Sequence, residues 1–573
     1  MKRPAHAARA RGCLAAVALA ASLSQAGCDD LGRVTRSVAN LFKSNGAREL
    51  RPGSARRATN RHPGLLVLAL DGVPRAVLYD LLRRGELPGF ARLLGGLGDS
   101  GALPHAHLDD TLTATLPSST LAAWATTFTG VTPARHGASG NEFFIRESLR
   151  FVAPVPVSVE SDAHALETQS DSLLDRVISA PTVYQRLREH ERGAAVWVAL
   201  SQVHEGADRF LLPDRSVLVG ALMAHIGDST GASEGYAAYA QIDQSVIENV
   251  TDEVAAHGAP DVLTLYLVGA DLYAHEAETG PRPAIERYLR EVLDGRVGAF
   301  ADRLSRAGHL DHRYVVVVAD HGHTAVIGDD THSLGTDGDD EPPAVLRAAG
   351  FTLRPFELTV DQGARFDAVL AYQGAMAFVY LADRSRCPAS RPCDWGAPPR
   401  YREDVLAAAE AFHRANEGEG TPALRGALDM ILVREPVAQR EVDRPFEVYL
   451  GGGRTTSVED FLREHPRTTY VDLAPRLRDL AVGPLGERAG DVLLLAHNGD
   501  RERPEERYYF AHEYRSWHGS PSRADSDLPL VVAHRGRSSS ELAAITRRAL
   551  GGAPHPTQDK VTDLMLALRR EPR

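Results

Sequence analysis

Residues 65–72 read LLVLALDG, six apolar residues running without interruption into an aspartate and a glycine. A continuous apolar run of that length predicts a strand buried on both faces, as in a parallel sheet, whose carboxyl end delivers a side chain to a crevice. Two later runs end in the same way. Residues 262–268, VLTLYLV, lead to Gly269-Ala270-Asp271 with His275 four positions further on, and residues 314–319, YVVVVA, lead to Asp320-His321-Gly322-His323. The four-residue spacing places Asp271 and His275 on one face if a helical turn follows the strand. Residues 73–94 have helical spacing, so strands alternate with helices and the class is α/β. A single aspartate after a strand is ordinarily a turn or cap residue. Three of them, with histidines in step, are hard to attribute to turns.

Between the first and second runs lies LPSSTLAAWATTFTGVTPARHGASGN, residues 116–141. Pro117 and the two serines break any preceding element, residues 121–128 suit a short buried helix, and Gly130 can stop it, which makes Thr120 the expected N-cap. Taken alone, Thr120 caps its own helix. It becomes a nucleophile candidate only if metal ligands converge on it.

The 573 residues are enough for two to four domains, or for one large domain with insertions. The formal net charge of -12 is unevenly spread: residues 1–61 carry twelve Lys/Arg against three Asp/Glu, leaving 52 against 73 over the rest. An acidic body argues against a surface for duplex nucleic acid, while metal ions could still dominate the local field around a phosphate. The first thirty residues combine Lys2, Arg3, Arg9 and Arg11 with an apolar stretch at 14–23 and end in Ala26-Gly27-Cys28-Asp29-Asp30. This pattern predicts an export signal over residues 1–28, because the apolar run falls short of the ~20 residues that span a bilayer. Its end resembles a lipoprotein signal with Cys28 as the lipidated residue, although Gln25 stands where such signals usually carry an apolar residue. The expectation is a protein of the periplasm or cell envelope, lipid-anchored through Cys28, with residues 29–62 as a tether. Cys387 and Cys393 fit either a small disulfide loop or two free thiols.

Residues 63–341 are then expected to form the first part of the core. In residues 342–507 the strand-like runs 375–381, 430–433 and 491–496, with a helical stretch at 403–415, are expected to extend the sheet and build a cap. Residues 508–573 complete the core, with His518 ahead of another apolar run at 528–533.

In chain order the candidates for chemistry are Asp71, Thr120, Asp271, His275, Asp320, His321 and His518. Carboxylates and imidazoles in this mixture suit zinc, and three protein ligands per ion leave a position for substrate. Two ions would lower the pKa of an attacking hydroxyl and neutralise charge on a leaving oxygen. A threonine hydroxyl needs such activation to act as a nucleophile.

The set resembles the alkaline phosphatase superfamily and, within it, the type I phosphodiesterase/nucleotide pyrophosphatase branch. The motifs LALDG (68–72), PSST (117–120) with Thr129-Gly130 nine residues on, TPARHG (132–137), DLYAH (271–275), ADHGH (319–323) and WHG (517–519) occur in that branch's order. The resemblance implies a three-layer α/β/α sandwich, alkaline phosphatase-like, with cap insertions. It also implies two divalent metal ions, zinc by type, one held by Asp271, His275 and His518 and the other by Asp71, Asp320 and His321. Thr120 would lie against the second as nucleophile, Asn141 would donate to a non-bridging phosphoryl oxygen, and hydrolysis of a small phosphate ester would pass through a phosphothreonine.

The chain departs from the branch after Leu121, where Ala122 and Ala123 replace a common Pro-Asn pair, which bears on the nucleotide and not on the metal chemistry. Monoesterases of similar architecture use a Lys-x-Arg pair, whereas the only lysines here are Lys2, Lys43 and Lys560; diesters are therefore expected to be preferred. The alternatives are a phosphomonoesterase on the same site and a non-catalytic surface protein that has kept the fold. Residues 387–391, CPASR, have the form of the sulfatase formylglycine motif but stand far from the first metal strand, where that nucleophile belongs. His136, His323, His332 and His512 lie near the motifs and are expected to play supporting or surface roles.

Overall fold

The three apolar runs lie side by side. In the computed structural model, strand Gly64–Leu70 pairs in parallel with Val262–Leu267 on one side and Arg313–Ala319 on the other, with Leu70 level with both Leu267 and Ala319. Asp71 and Asp320 therefore leave one sheet edge together, and Asp271 follows in the helix Gly269–Glu276. The structure describes residues 47–51, 58–98, 101–155, 157, 177–214, 216–217, 236–335, 341–354, 365–387, 393–420, 424–437 and 442–572. The expected export signal with Cys28 lies outside these residues, as does most of the expected tether.

The central sheet has eight strands in the order Ala47–Glu49, Arg209–Leu211, Val196–Ala199, Val262–Leu267, Gly64–Leu70, Arg313–Ala319, Leu530–Ala533 and Ala106–Asp109. The middle pairings are parallel, and the strands at both margins turn antiparallel. Leu65, Val67 and Ala69 pack into one hydrophobic cluster while Leu66, Leu68 and Leu70 pack into another. Burial of both faces is why these strands read as unbroken apolar runs and not as alternation. Helices Arg75–Arg83, Pro88–Leu93, Ala237–His257 and Asp294–Arg306 cover the second face. Helices Thr120–Thr129, Val183–His190 and Asp559–Arg570 cover the first, giving the three-layer α/β/α arrangement expected.

Local reading and structure differ in three places. The helical spacing of residues 73–94 resolves into two helices, interrupted where Gly85 takes φ 71° and Pro88 starts the second. Within the segment expected to be a tether, Ala47–Glu49 pairs with Arg209–Leu211 as an edge strand; three mostly polar residues carry no hydrophobic pattern that would betray this. The strands of residues 342–507 do not extend the central sheet. They form a second, antiparallel sheet in the order Ala368–Tyr372, Met376–Leu381, Val492–Ala496, Leu428–Val433, Glu447–Tyr449 and Thr455–Ser457. A tight turn at residues 373–375 folds the first two strands onto each other as an antiparallel pair. This sheet is also buried on both faces, since Phe378 and Tyr380 face the core shared with the central sheet and Ala377 and Val379 face the helix Leu406–Asn416.

Cys387 and Cys393 are joined in a disulfide with Cα atoms 4.2 Å apart. The sulfatase-like stretch therefore offers no free thiol at Cys387, and its residues 388–390 and 391 lie outside the described ones. Among the described residues no helix is long and apolar enough to cross a membrane.

Candidate active site

At the carboxyl ends of the central strands, the parallel edge opens onto the helix Thr120–Thr129, all ten residues of which are buried. Its N-cap is Ser119, not Thr120 as expected from the sequence; the Ser119 side chain makes no capping bond, and Thr120 is already helical. The difference matters chemically, because a capping hydroxyl would be committed to a backbone N–H. The Thr120 hydroxyl instead lies 3.2 Å from Nε2 of His321. Gly130 ends the helix in a left-handed conformation, as expected.

The sequence candidates converge there. Asp271, His275 and His518 form one group, and Asp71, Asp320 and His321 another, each with its ligand-type atoms within 4.8 Å of one another. None of the six is more than 7 % exposed, so bulk water does little to screen them. Nε2 of His321 is 3.6 Å from Oδ1 of Asp71, 3.4 Å from Oδ2 of Asp320 and 4.0 Å from Oδ1 of Asp271, which places the two groups side by side. Gly72 adopts φ 65°, and a Cβ there would come within 2.7 Å of Oδ1 of Asp271, so the glycine after Asp71 is required by both backbone and space.

Each imidazole is held by its other nitrogen. Nδ1 of His275 bonds the Ser516 carbonyl at 2.7 Å, Nδ1 of His518 the Ser118 carbonyl at 3.0 Å, and Nδ1 of His321 the Gly322 carbonyl at 3.1 Å. A carbonyl can only accept, so Nδ1 carries the proton and Nε2 presents its lone pair to the site. The carboxylates are similarly oriented: Asp320 Oδ1 accepts from the N–H groups of Gly72 (3.0 Å) and His321 (2.9 Å), and the Tyr266 hydroxyl donates to Asp71 Oδ2. Oδ1 of Asp71 and Oδ2 of Asp320 are buried with no hydrogen-bond partner among the described residues.

These orphaned acceptors, with three carboxylates in one dry pocket, fit a pair of cations. Burial, then Asp320 and Asp271, raise the Asp71 carboxyl well above its usual range, and burial with Asp271 pushes Asp320 up to about 8. Burial works in the same sense on Asp271, but His275 and His323 outweigh it and hold that group well below the usual range. Burial drives His321 down to about 3 and, together with His321, lowers His518 well below its ordinary value, so these two rings are neutral donors of lone pairs; burial lowers His275 as well, but Asp271 outweighs it and raises that ring.

Further residues brace the two groups or lie beside them. His323 places Nε2 2.9 Å from Oδ1 of Asp271 and Nδ1 3.1 Å from the Ser516 hydroxyl, bracing Asp271. His136, neutral because burial and Arg488 push it down to about 3, accepts from the Ala138 N–H and bonds the Thr126 hydroxyl at 3.0 Å, tying the Thr120 helix to the loop that carries Asn141. Asp243 accepts from the N–H groups of Val268 (2.9 Å) and Gly269 (3.1 Å), so a carboxylate sits at the amino end of the helix bearing Asp271 and His275. His332 pairs with Asp329 and the His512 carbonyl accepts from the Trp517 N–H, neither of them in the two groups. Asn141 uses Oδ1 to accept from the Leu121 N–H at 2.9 Å, one residue after Thr120, which leaves its Nδ2 as the donor.

A buried hydroxyl at a helix start beside two carboxylate–imidazole groups, on the strand-end face of an α/β sheet, defines a hydrolase-type site. The family model of type I phosphodiesterase / nucleotide pyrophosphatase matches residues 65–389, and the chain belongs to that family. Among solved structures it is similar to murine ectonucleotide pyrophosphatase / phosphodiesterase 5, at 13 % identity and a TM-score of 0.44, over 82 % of this chain and 88 % of that one. It is similar also to an inactive threonine-to-alanine variant of that murine protein in complex with AMP, at 14 % identity, a TM-score of 0.44 and the same coverage. No curated protein sequence matches the chain.

Proposed function

We propose that the protein is an exported two-metal phosphohydrolase that cleaves phosphodiesters through a covalent phosphothreonine at Thr120. The observation that carries the reading is the Thr120 hydroxyl, at the first helical position and 3.2 Å from Nε2 of His321, at the meeting point of two buried Asp/His groups. Asp271, His275 and His518 would hold one ion and Asp71, Asp320 and His321 the other, with zinc the ion best suited to this donor set. When bound, the pair supplies Lewis acidity that lowers the pKa of the nucleophile and neutralises charge on the leaving oxygen.

Thr120 Oγ1 gives up its proton and attacks phosphorus, the bond from phosphorus to the leaving oxygen breaks and that oxygen departs as the alcohol after taking up a proton, and the chain holds a threonine phosphoester that keeps the second ester group until water cleaves it. Position at the first helical turn directs N–H groups and the positive dipole end toward the phosphoryl oxygens. Asn141 Nδ2 donates to a non-bridging oxygen. The catalytic segments offer no lysine for the extra charge of a monoester; Lys560 is bound to Asp559 at 2.6 Å. The kcat/KM for bis-p-nitrophenyl phosphate should therefore exceed that for p-nitrophenyl phosphate by about tenfold or more, a difference of ~1.4 kcal/mol in transition-state stabilisation. A preference for the monoester would replace the diester reading with a phosphomonoesterase on the same residues.

The amino-terminal pattern supports export and lipidation at Cys28. Expressed with its own amino terminus in a bacterial host, the protein should partition into detergent, and Cys28→Ser should move it to the aqueous phase. Unchanged partition would remove the anchor from the account.

A further inference from the structure

Gln373 sits in the turn between Ala368–Tyr372 and Met376–Leu381, on the second sheet, and is 1 % exposed. Its side chain reaches a segment 232 residues earlier in the chain: Oε1 accepts from the Asn141 N–H at 2.7 Å, and Nε2 donates to the Glu142 carbonyl. One primary amide thus satisfies the donor of one residue and the acceptor of the next, as a neighbouring strand would. The approach is close enough to need a glycine beside it, since a Cβ at residue 140 would fall 2.1 Å from Oε1 of Gln373. The Glu142 carboxylate returns the contact, accepting from Val157 N–H at 2.8 Å and from Tyr372 N–H at 3.3 Å.

Asn141 in turn accepts from Leu121 N–H, so an unbroken path runs from Gln373 through Asn141 to the residue next to Thr120. The same turn touches the other side of the site, where Ala375 N–H donates to the His518 carbonyl at 3.0 Å and a Cβ on Gly374 would stand 2.3 Å from that oxygen. A backbone N–H could be satisfied by water, but the oriented side chain of Asn141 needs its own peptide fixed on both sides. An amide does this without a charge that varies with pH.

We propose that Gln373 is the positioning residue for Asn141, fixing its peptide so that Nδ2 meets the phosphoryl oxygen in the transition state. The proposal rests on the reading of Asn141 as that donor. A second sheet supplied by residues beyond the first metal strands thereby sets the geometry of a donor that precedes them in the chain.

The test is a double-mutant cycle on the metal-loaded full-length enzyme with bis-p-nitrophenyl phosphate. Gln373→Ala should lower kcat by about 10- to 100-fold with KM within about threefold and metal content unchanged, because a donor misplaced by about an ångström loses transition-state contact more than ground-state binding. In the Asn141→Ala background the same change should cost less than about threefold, because its effect passes through the lost side chain. Gln373→Glu, of nearly equal volume, keeps the acceptor and loses the donor to Glu142; it should show the same non-additivity if the alanine variant fails to fold. Losses that multiply, or a Gln373→Ala enzyme with wild-type kcat, overturn the proposal while leaving Asn141 in place. An Asn141→Ala enzyme with wild-type kcat overturns the reading of Asn141 and the proposal together.

Discussion

Thr120→Ala should lower diester turnover by about 10,000-fold or more while leaving metal content and folding unchanged, because removal of a catalytic nucleophile typically costs that much. The structure makes this substitution unusually clean. Ser119, not Thr120, is the N-cap, so alanine at this first helical position leaves the cap residue in place. Among the described residues its hydroxyl bonds His321 Nε2, whose ring stays fixed through Nδ1 and Gly322. The measurement is kcat together with metal analysis and a melting curve on the same preparation. A Thr120→Ala enzyme with substantial turnover removes the hydroxyl from the mechanism; one that loses activity only along with its metal makes the effect indirect.

Asp271→Asn should be nearly as damaging, by about 1,000-fold in kcat, with the metal content falling from two ions per chain to one or fewer. Asp271 belongs both to the group with His275 and His518 and to a second grouping with His321 and His323, so the loss of its charge is felt across the site. Asparagine keeps the volume, so packing is not the variable. The same reasoning gives the effect of a chelator on the unaltered protein: a ligand present at 1,000 times its Kd and bound to the native state alone adds about 4 kcal/mol of stability, and stripping it exposes the mutual repulsion of Asp71, Asp271 and Asp320. The melting temperature should fall on chelation and recover with added zinc. Asp271→Asn protein that retains two ions and normal turnover would contradict the assignment of ligands.

Much of this site could be read from the chain because its chemistry is local to strand ends. Residues 65–70, 262–267 and 314–319 announce themselves by unbroken apolar runs, and the residues that matter follow within a few positions. Thr120 was legible as a helix start, but the choice between Ser119 and Thr120 as cap turns on one residue's backbone conformation, which a Ser-Ser-Thr run does not specify. The second sheet is legible as strands but not as a sheet separate from the first, since the pairing of Leu428–Val433 with Val492–Ala496 joins segments some sixty residues apart and leaves no periodic trace. Tyr266, Asp243 and Gln373 escaped for the same reason. Each acts on a partner distant in sequence through one or two hydrogen bonds, and nothing in its neighbours marks it.

The central claim is a covalent phosphoester on Thr120, and the most direct measurement is acid quench of the zinc-loaded enzyme during turnover of a slow diester, followed by peptide mass spectrometry. A phosphoryl adduct, still carrying the second ester group, should form on Thr120 of the wild-type protein and be absent from Thr120→Ala. An adduct on another residue, or full turnover with no adduct at any quench time together with an active Thr120→Ala enzyme, would contradict it.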